Sequence, residues 1–232
     1  MRISIASTLF DTKLHQTDVN KALERIKSGK SKETIERIRN GEKDLKKKLP
    51  IVLFSGTFNE RKDSKLHKHS GFVVLDFDNL EDVSDSKMRL ATDEHSFATW
   101  VSPSGNGLKV LVSISHPEHH ESHFRALQKY YEKAYGLEVD STGKNLSRAC
   151  YESYDPDIVI NREAKKFSAM LSENSESQTA KSHQMTDYLK LNLAAKMVRE
   201  AKDGQRHHQL LRAARLCGGY ISAGRMEREE VE

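Results

Sequence analysis

Residues 71–78 read Gly71-Phe72-Val73-Val74-Leu75-Asp76-Phe77-Asp78: a run of β-branched, aromatic and aliphatic residues that closes on two acids separated by one phenylalanine. Such a run predicts a β-strand, and its unbroken apolar character predicts a buried, central place in a sheet. Side chains on a strand repeat every two residues. Asp76 and Asp78 therefore leave one face, roughly 7 Å apart at Cα, while Phe77 points the other way into packing. Two carboxylates on one face can converge on a cation such as magnesium, which favours carboxylate oxygen, phosphate and water. The same pair can also close an Asx-turn or cap the next element, so both readings stay open on these residues alone.

Downstream, Phe97 to Ser102 and Leu108 to Ile114 read as a strand pair joined by Pro103-Ser104-Gly105-Asn106-Gly107. Gly105 and Gly107 let backbone N–H groups approach an anion closely. Ser102 and Ser104 offer hydroxyls, and Lys109 brings a positive charge. A plain tight hairpin uses the same residues. Further on, Val139-Asp140-Ser141 supplies another acid after an apolar residue, and Arg148 enters the segment Ala149 to Ser153. An arginine there can grip phosphate bidentately or pair with a neighbouring acid. Gly136 to Asp140 and Ala149 to Ser153 are expected as short strands around a polar turn.

Upstream, Ile3 to Leu9 reads as a first strand. Val19, Leu23, Ile26, Ile35 and Ile38 fit helical spacing, broken around Ser28-Gly29-Lys30, which predicts two short helices with basic outer faces. Leu49 to Phe54 predicts another strand, and the polar stretch Phe58 to Ser70 an exposed loop. After Pro117, the residues Phe124, Leu127, Tyr130, Tyr131 and Ala134 predict an amphipathic helix ending near Gly136. His116, His119, His120 and His123 open this helix; an i, i+4 pair there can bind zinc, but a polar helix start is the preferred reading. Strands and helices alternate and neighbouring strands look hairpin-linked, so the expected class is α+β.

Ser172 to Gln184 is polar and nearly free of apolar residues. It divides the chain into a main domain over 1–172, a linker over 173–186 and a small helical domain over 187–232. The highly charged run at the end of the chain suggests continuation into a longer natural protein.

Charge and composition bound the chemistry. Residues 1–70 carry 17 Lys+Arg against 9 Asp+Glu, net +8, while residues 71–172 carry 11 against 16, net -5. A basic front feeding an acidic middle suits a protein that holds a polyanion on one surface and divalent cations elsewhere, although Lys-rich helices can equally be solvated faces. Cys150 and Cys217 stand far apart without a CxxC partner, which excludes a disulfide framework, a Cys-rich zinc site and an iron–sulfur cluster. No apolar run approaches the ~18 residues of a membrane span, and the N-terminus lacks a secretory signal, so no membrane partner and a cytoplasmic location are expected.

Taken in order, the strand ending in Asp76 and Asp78, the glycine turn into Lys109 and the Val139-Asp140 pair resemble the three motifs of the archaeo-eukaryotic primase superfamily. More narrowly, the segments at 49–58, 69–80, 100–114 and 139–158 resemble the VirE N-terminal-like domain, a primase-polymerase-type module of Bacteroides-type mobile-element primase-helicases. The resemblance covers about residues 45–160, and residues 187–224 are similar to the small helical domain that follows such modules. It implies an RRM-like catalytic sheet with an additional α/β unit. It further implies a DNA primase or primase-polymerase, a nucleotidyltransferase using Mg²⁺ or Mn²⁺ held by Asp76, Asp78 and Asp140. Ser102, Ser104, Gly105, Gly107, Lys109 and Arg148 would serve as nucleotide or phosphate contacts. Single-stranded DNA, nucleoside triphosphates and a helicase are the implied partners, in DNA replication of a mobile element or phage. Lys109 stands where related primases usually carry a histidine. The competing functions are a catalytically inactive nucleotide- or single-strand-binding module and a metal-dependent nuclease. Replacing Asp76 and Asp78 by alanine is expected to abolish extension and spare folding.

Overall fold

A computed structural model of the chain describes residues 1–171, a unit that ends at Leu171. The linker expected over 173–186 and the small helical domain expected over 187–232 lie outside the described residues.

The chain opens with β1 (Arg2–Ala6) and β2 (His15–Asp18), an antiparallel pair that feeds α1 (Val19–Ser28) and α2 (Lys32–Arg39). Asp18 starts α1 by accepting the Asn20 N–H at 2.9 Å, and the helix stops at Gly29, as the break in apolar spacing predicts. Next come β3 (Ile51–Leu53), β4 (Gly56–Phe58) and β5 (Leu66–His69). The last two form a two-stranded ribbon, and β5 lies inside the stretch Phe58 to Ser70 expected to be a loop. That expectation fails because β5 is short and polar and its alternation carries no apolar signal, while the buried β4 is only three residues long. Then follow β6 (Phe72–Phe77), α3 (Val83–Ala91), β7 (Ser96–Val101), β8 (Leu108–Ser113), α4 (His120–Tyr135), β9 (Cys150–Tyr151) and β10 (Val159–Ile160). The class is α+β, with antiparallel sheets and four α-helices among the described residues.

Two four-stranded sheets carry the architecture, one in the order β2-β1-β3-β9 and the other β10-β7-β8-β6. Both β6 and β7 pair antiparallel with β8, so β6 and β7 run parallel and β8 fills the place between them. The strand expected at the centre of its sheet therefore lies at one end. Its apolar run reflects burial on two faces, not two paired neighbours. Val73, Leu75 and Phe77 join Leu90, Phe124, Leu127 and Tyr131 in one core with α3 and α4. Phe72 and Val74 join Ile3, Leu23, Ile26, Val52 and Phe54 in a second core with α1 and the other sheet. The segment 136–140, expected as a strand, has no regular structure, but its Asp140 N–H donates to the Asp76 carbonyl at 2.9 Å and covers part of the outer edge of β6.

Of the four histidines around the start of α4, His116 and His119 are exposed, as a polar start expects, and the other two are not. His120 and His123 are buried, and His69 on β5 lies 3.0 Å from His120, Nε2 to Nδ1. Gly71 N–H donates to His69 Nδ1 at 2.8 Å, which puts the His69 proton on Nε2 and makes His120 Nδ1 the acceptor. Burial pushes His69 down to about 4 and His120 to about 3. Unfolded imidazoles protonate near 6.5, so the unfolded state takes up protons first and stability falls as pH drops from about 6.5 toward 4. Because His69 keeps some contact with water, the loss is on the order of 2 kcal/mol. Urea midpoints at pH 7 and pH 4.5 measure it. His120→Gln should flatten the slope, and an unchanged slope would remove the pair as its source.

Candidate functional site

Asp76 on β6 and Asp78 just beyond its end open into a cleft of about 700 Å³ lined also by Ser102, Lys109 and Arg148, with Lys46, Arg61 and Lys144 on its walls. Cross-strand register creates its floor. Asp76 stands directly opposite Lys109 in the β6–β8 pair, and the Lys109 ammonium donates to Asp76 Oδ1. Both side chains are largely buried, 9% exposed for Lys109 and 14% for Asp76. Burial works against the Lys109 charge, but Asp76 beside it more than compensates and holds the ammonium above the usual lysine range.

Arg148 links the floor to the third acid. Its Nη2 lies 2.9 Å from Asp140 Oδ2 and 3.9 Å from Asp76 Oδ2. Asp140 also accepts the Thr142 N–H at 2.9 Å and the Thr142 hydroxyl at 2.7 Å. Burial opposes the charge of Asp140, yet these bonds and Arg148 leave its carboxyl below the ordinary range. The loop that carries these groups is anchored twice: Ser147 donates to Asp63 through its N–H at 2.7 Å, and Ser55 donates to the Leu146 carbonyl. Gly143 packs against the Phe124 ring.

Asp76, Asp78, Lys109 and Arg148 thus meet in one cleft, with Asp140 joined to them through Arg148 and the Asp76 backbone. Asp78 is exposed and carries no ion pair or side-chain hydrogen bond among the described residues. Ser102 is 95% buried, 5% exposed, and its hydroxyl has no partner; Arg148 Nε is likewise buried and unpartnered. Two residues of the cleft lining thus each carry a buried polar atom without a partner.

The glycine turn lies differently. Ser104 is exposed and stands outside the cleft lining. Gly105, at φ 81°, turns its Cα toward the Arg39 side chain. Gly107 passes so close to β6 that a Cβ there would fall on the Phe77 carbonyl oxygen. Arg39 fixes this turn by donating to the Ser102 carbonyl at 3.2 Å and the Tyr154 carbonyl at 2.8 Å.

Lys46, Arg61, Lys144, Asn145, Ser147 and Tyr151 also line the cleft. Sequence reasoning saw the basic front of the chain but had no way to select these positions from the other lysines and arginines.

Among the described residues, no group of three or more His, Cys, Asp and Glu side chains is arranged to hold a metal ion. The acids divide by partner. Asp140 is committed to Thr142 and Arg148, and one oxygen of Asp76 to Lys109, whereas Asp78 and Asp76 Oδ2 face the cleft with capacity left. That set fits one magnesium-like ion, which commonly takes one or two carboxylates and completes its shell with substrate phosphate and water.

The family of the BT4734-like, N-terminal domain matches residues 44–159, half of the chain and all of the residues named above in the floor of the cleft. No curated protein and no solved structure matches. Among the described residues, no helix is long and apolar enough to cross a membrane.

Proposed function

The chain belongs to the BT4734-like, N-terminal domain family, and we propose that it is a primase-polymerase-type nucleotidyltransferase whose cleft binds a nucleoside triphosphate against single-stranded DNA. The observation that carries the reading is the meeting of Asp76, Asp78, Lys109 and Arg148 in a cleft whose remaining charged walls are cationic. Acids flanked by lysine and arginine suit a polyphosphate better than a neutral substrate. The order β6-β8-β7, with α3 following β6 and α4 following β8, is the split βαβ arrangement expected of an RRM-like catalytic sheet, and it supports the same reading.

In this reading the unpartnered Ser102 hydroxyl and Arg148 Nε donate to phosphate oxygens, and Lys109 offsets the charge of Asp76 so that the phosphates can approach. Asp78, with Asp76 Oδ2, would hold Mg²⁺ or Mn²⁺, which supplies neutralisation of the charge that builds on the transferred phosphate. Lys46, Arg61 and Lys144 carry the cationic surface outward, where a template strand would lie. The biological setting proposed is DNA replication of a mobile element or phage in the cytoplasm, beside a helicase.

A second reading is favoured by one observation: the Lys109–Asp76 ion pair occupies an acid that catalysis would use. It makes the chain an inactive nucleotide- or single-strand-binding module. Incorporation of labelled nucleotides on a single-stranded template with Mg²⁺ or Mn²⁺ tests both. Extended product supports the enzyme, binding without product supports the module, and template degradation would replace both with a nuclease. Asp78→Asn is the cleanest variant, because Asp78 is exposed and unpaired: at least a hundred-fold loss of extension is expected with no change in thermal midpoint.

A further inference from the structure

We infer that the Lys109 ammonium takes the place of a second divalent cation, so that the cleft binds a polyphosphate without metal and gathers one ion per chain, not two, once nucleotide is present. The inference rests on the nucleotide reading of the cleft and specifies its metal requirement.

Three observations lead to it. Lys109 is fixed on Asp76 by strand register as well as by charge: β6 and β8 place the two residues opposite each other, and both side chains are largely buried, so the ammonium is part of the fold. Asp140, the acid that would complete a two-ion centre, is occupied by the Thr142 N–H, the Thr142 hydroxyl and Arg148. Finally, the cleft lining holds Lys46, Arg61, Lys109, Lys144 and Arg148 against Asp76 and Asp78, and it stays net positive even when Arg148 is set against Asp140, as a polyphosphate site requires. Paired metals neutralise both carboxylates and phosphates, and here lysine and arginine already do much of that. One task remains for an ion: joining the free Asp78 to the phosphates.

Titration calorimetry at pH 8 with inorganic tripolyphosphate and with a nucleoside triphosphate, in EDTA and in Mg²⁺, tests the inference. Affinities within about five-fold of each other in the two conditions are expected. Binding that falls a hundred-fold or more in EDTA would overturn the inference and leave the nucleotide reading standing. Absence of binding in both conditions would overturn the nucleotide reading itself. Counting Mn²⁺ by its paramagnetic resonance signal with nucleotide present should give one ion per chain, and two would end the proposal. Lys109→Met, which carries no charge at any pH, leaves the charge of Asp76 without its partner. It should lose at least ten-fold in metal-free affinity and take up a second Mn²⁺; unchanged behaviour counts against the inference. Should that variant not fold, the ion count on the unaltered chain decides alone.

Discussion

Replacing Asp76 with asparagine is expected to abolish nucleotide incorporation and to lower the thermal midpoint by on the order of 10 °C, two losses from one atom's change. Lys109 is the reason for the second. With Asp76 gone as a charge, a buried ammonium loses the partner that register places opposite it. Removing one member of such a pair costs about 3–5 kcal/mol, and a domain of this size loses roughly 2–4 °C per kcal/mol. For Asp76, therefore, the expectation that the acid-to-alanine change spares folding gives way to an expected loss of stability, while for exposed Asp78 it stands as the prediction to test. Adding Lys109→Met to Asp76→Asn removes the stranded charge. The double variant should regain most of the midpoint and none of the activity, as seen by calorimetry and by the extension assay. A double variant no more stable than the single one would show that the ion pair is not what Asp76 contributes to the fold.

Glu152→Ala is expected to be nearly as damaging to stability without removing a charge from the cleft lining. Glu152 is 1% exposed. It accepts from Arg25 Nε at 2.5 Å and Nη2 at 3.2 Å and from the Ser31 hydroxyl, tying α1 and the α1–α2 turn to the segment after β9. Its own N–H donates to the Pro50 carbonyl at 2.8 Å. Alanine would leave Arg25 without its carboxylate and the Ser31 hydroxyl without its acceptor, so a loss of about 3 kcal/mol is expected in urea unfolding. Arg25 is partly exposed and can turn to water, which sets the figure at the low end for a buried pair. A change below about 1 kcal/mol would show that the segment is held by its apolar contacts alone.

What could be read in the sequence was whatever announces itself through apolar spacing. The strands around Val73 and Val110, the pair of helices split at Gly29 and the helix carrying Phe124 and Tyr131 all have a periodic buried face. β2, β4, β5 and α3 do not: His15 to Asp18 and Leu66 to His69 are polar ribbons, and Val83 to Ala91 buries only Ser86 and Leu90. Their places are set by partners distant in the chain. The candidate site divides the same way. Asp76, Asp78, Lys109 and Arg148 were recognisable as residue types in a pattern, but that Lys109 faces Asp76 depends on strand register, and that Arg148 reaches Asp140 depends on a loop pinned by Asp63 and Ser55. The position of β6 at the end of its sheet was misread because a strand sandwiched between two cores has the same composition as one flanked by two strands.

That end position carries its own hazard. A terminal strand as apolar as Phe72–Phe77 offers its unpaired backbone to any second chain that meets it, and the stretch holding Asp140 lies across that flank, bonded to the Asp76 carbonyl. A deletion meant only to remove the third carboxylate would therefore also unseal the strand. Such a shortened protein should come out of the cell in aggregates, and its silence in any assay would report self-association before it reported chemistry.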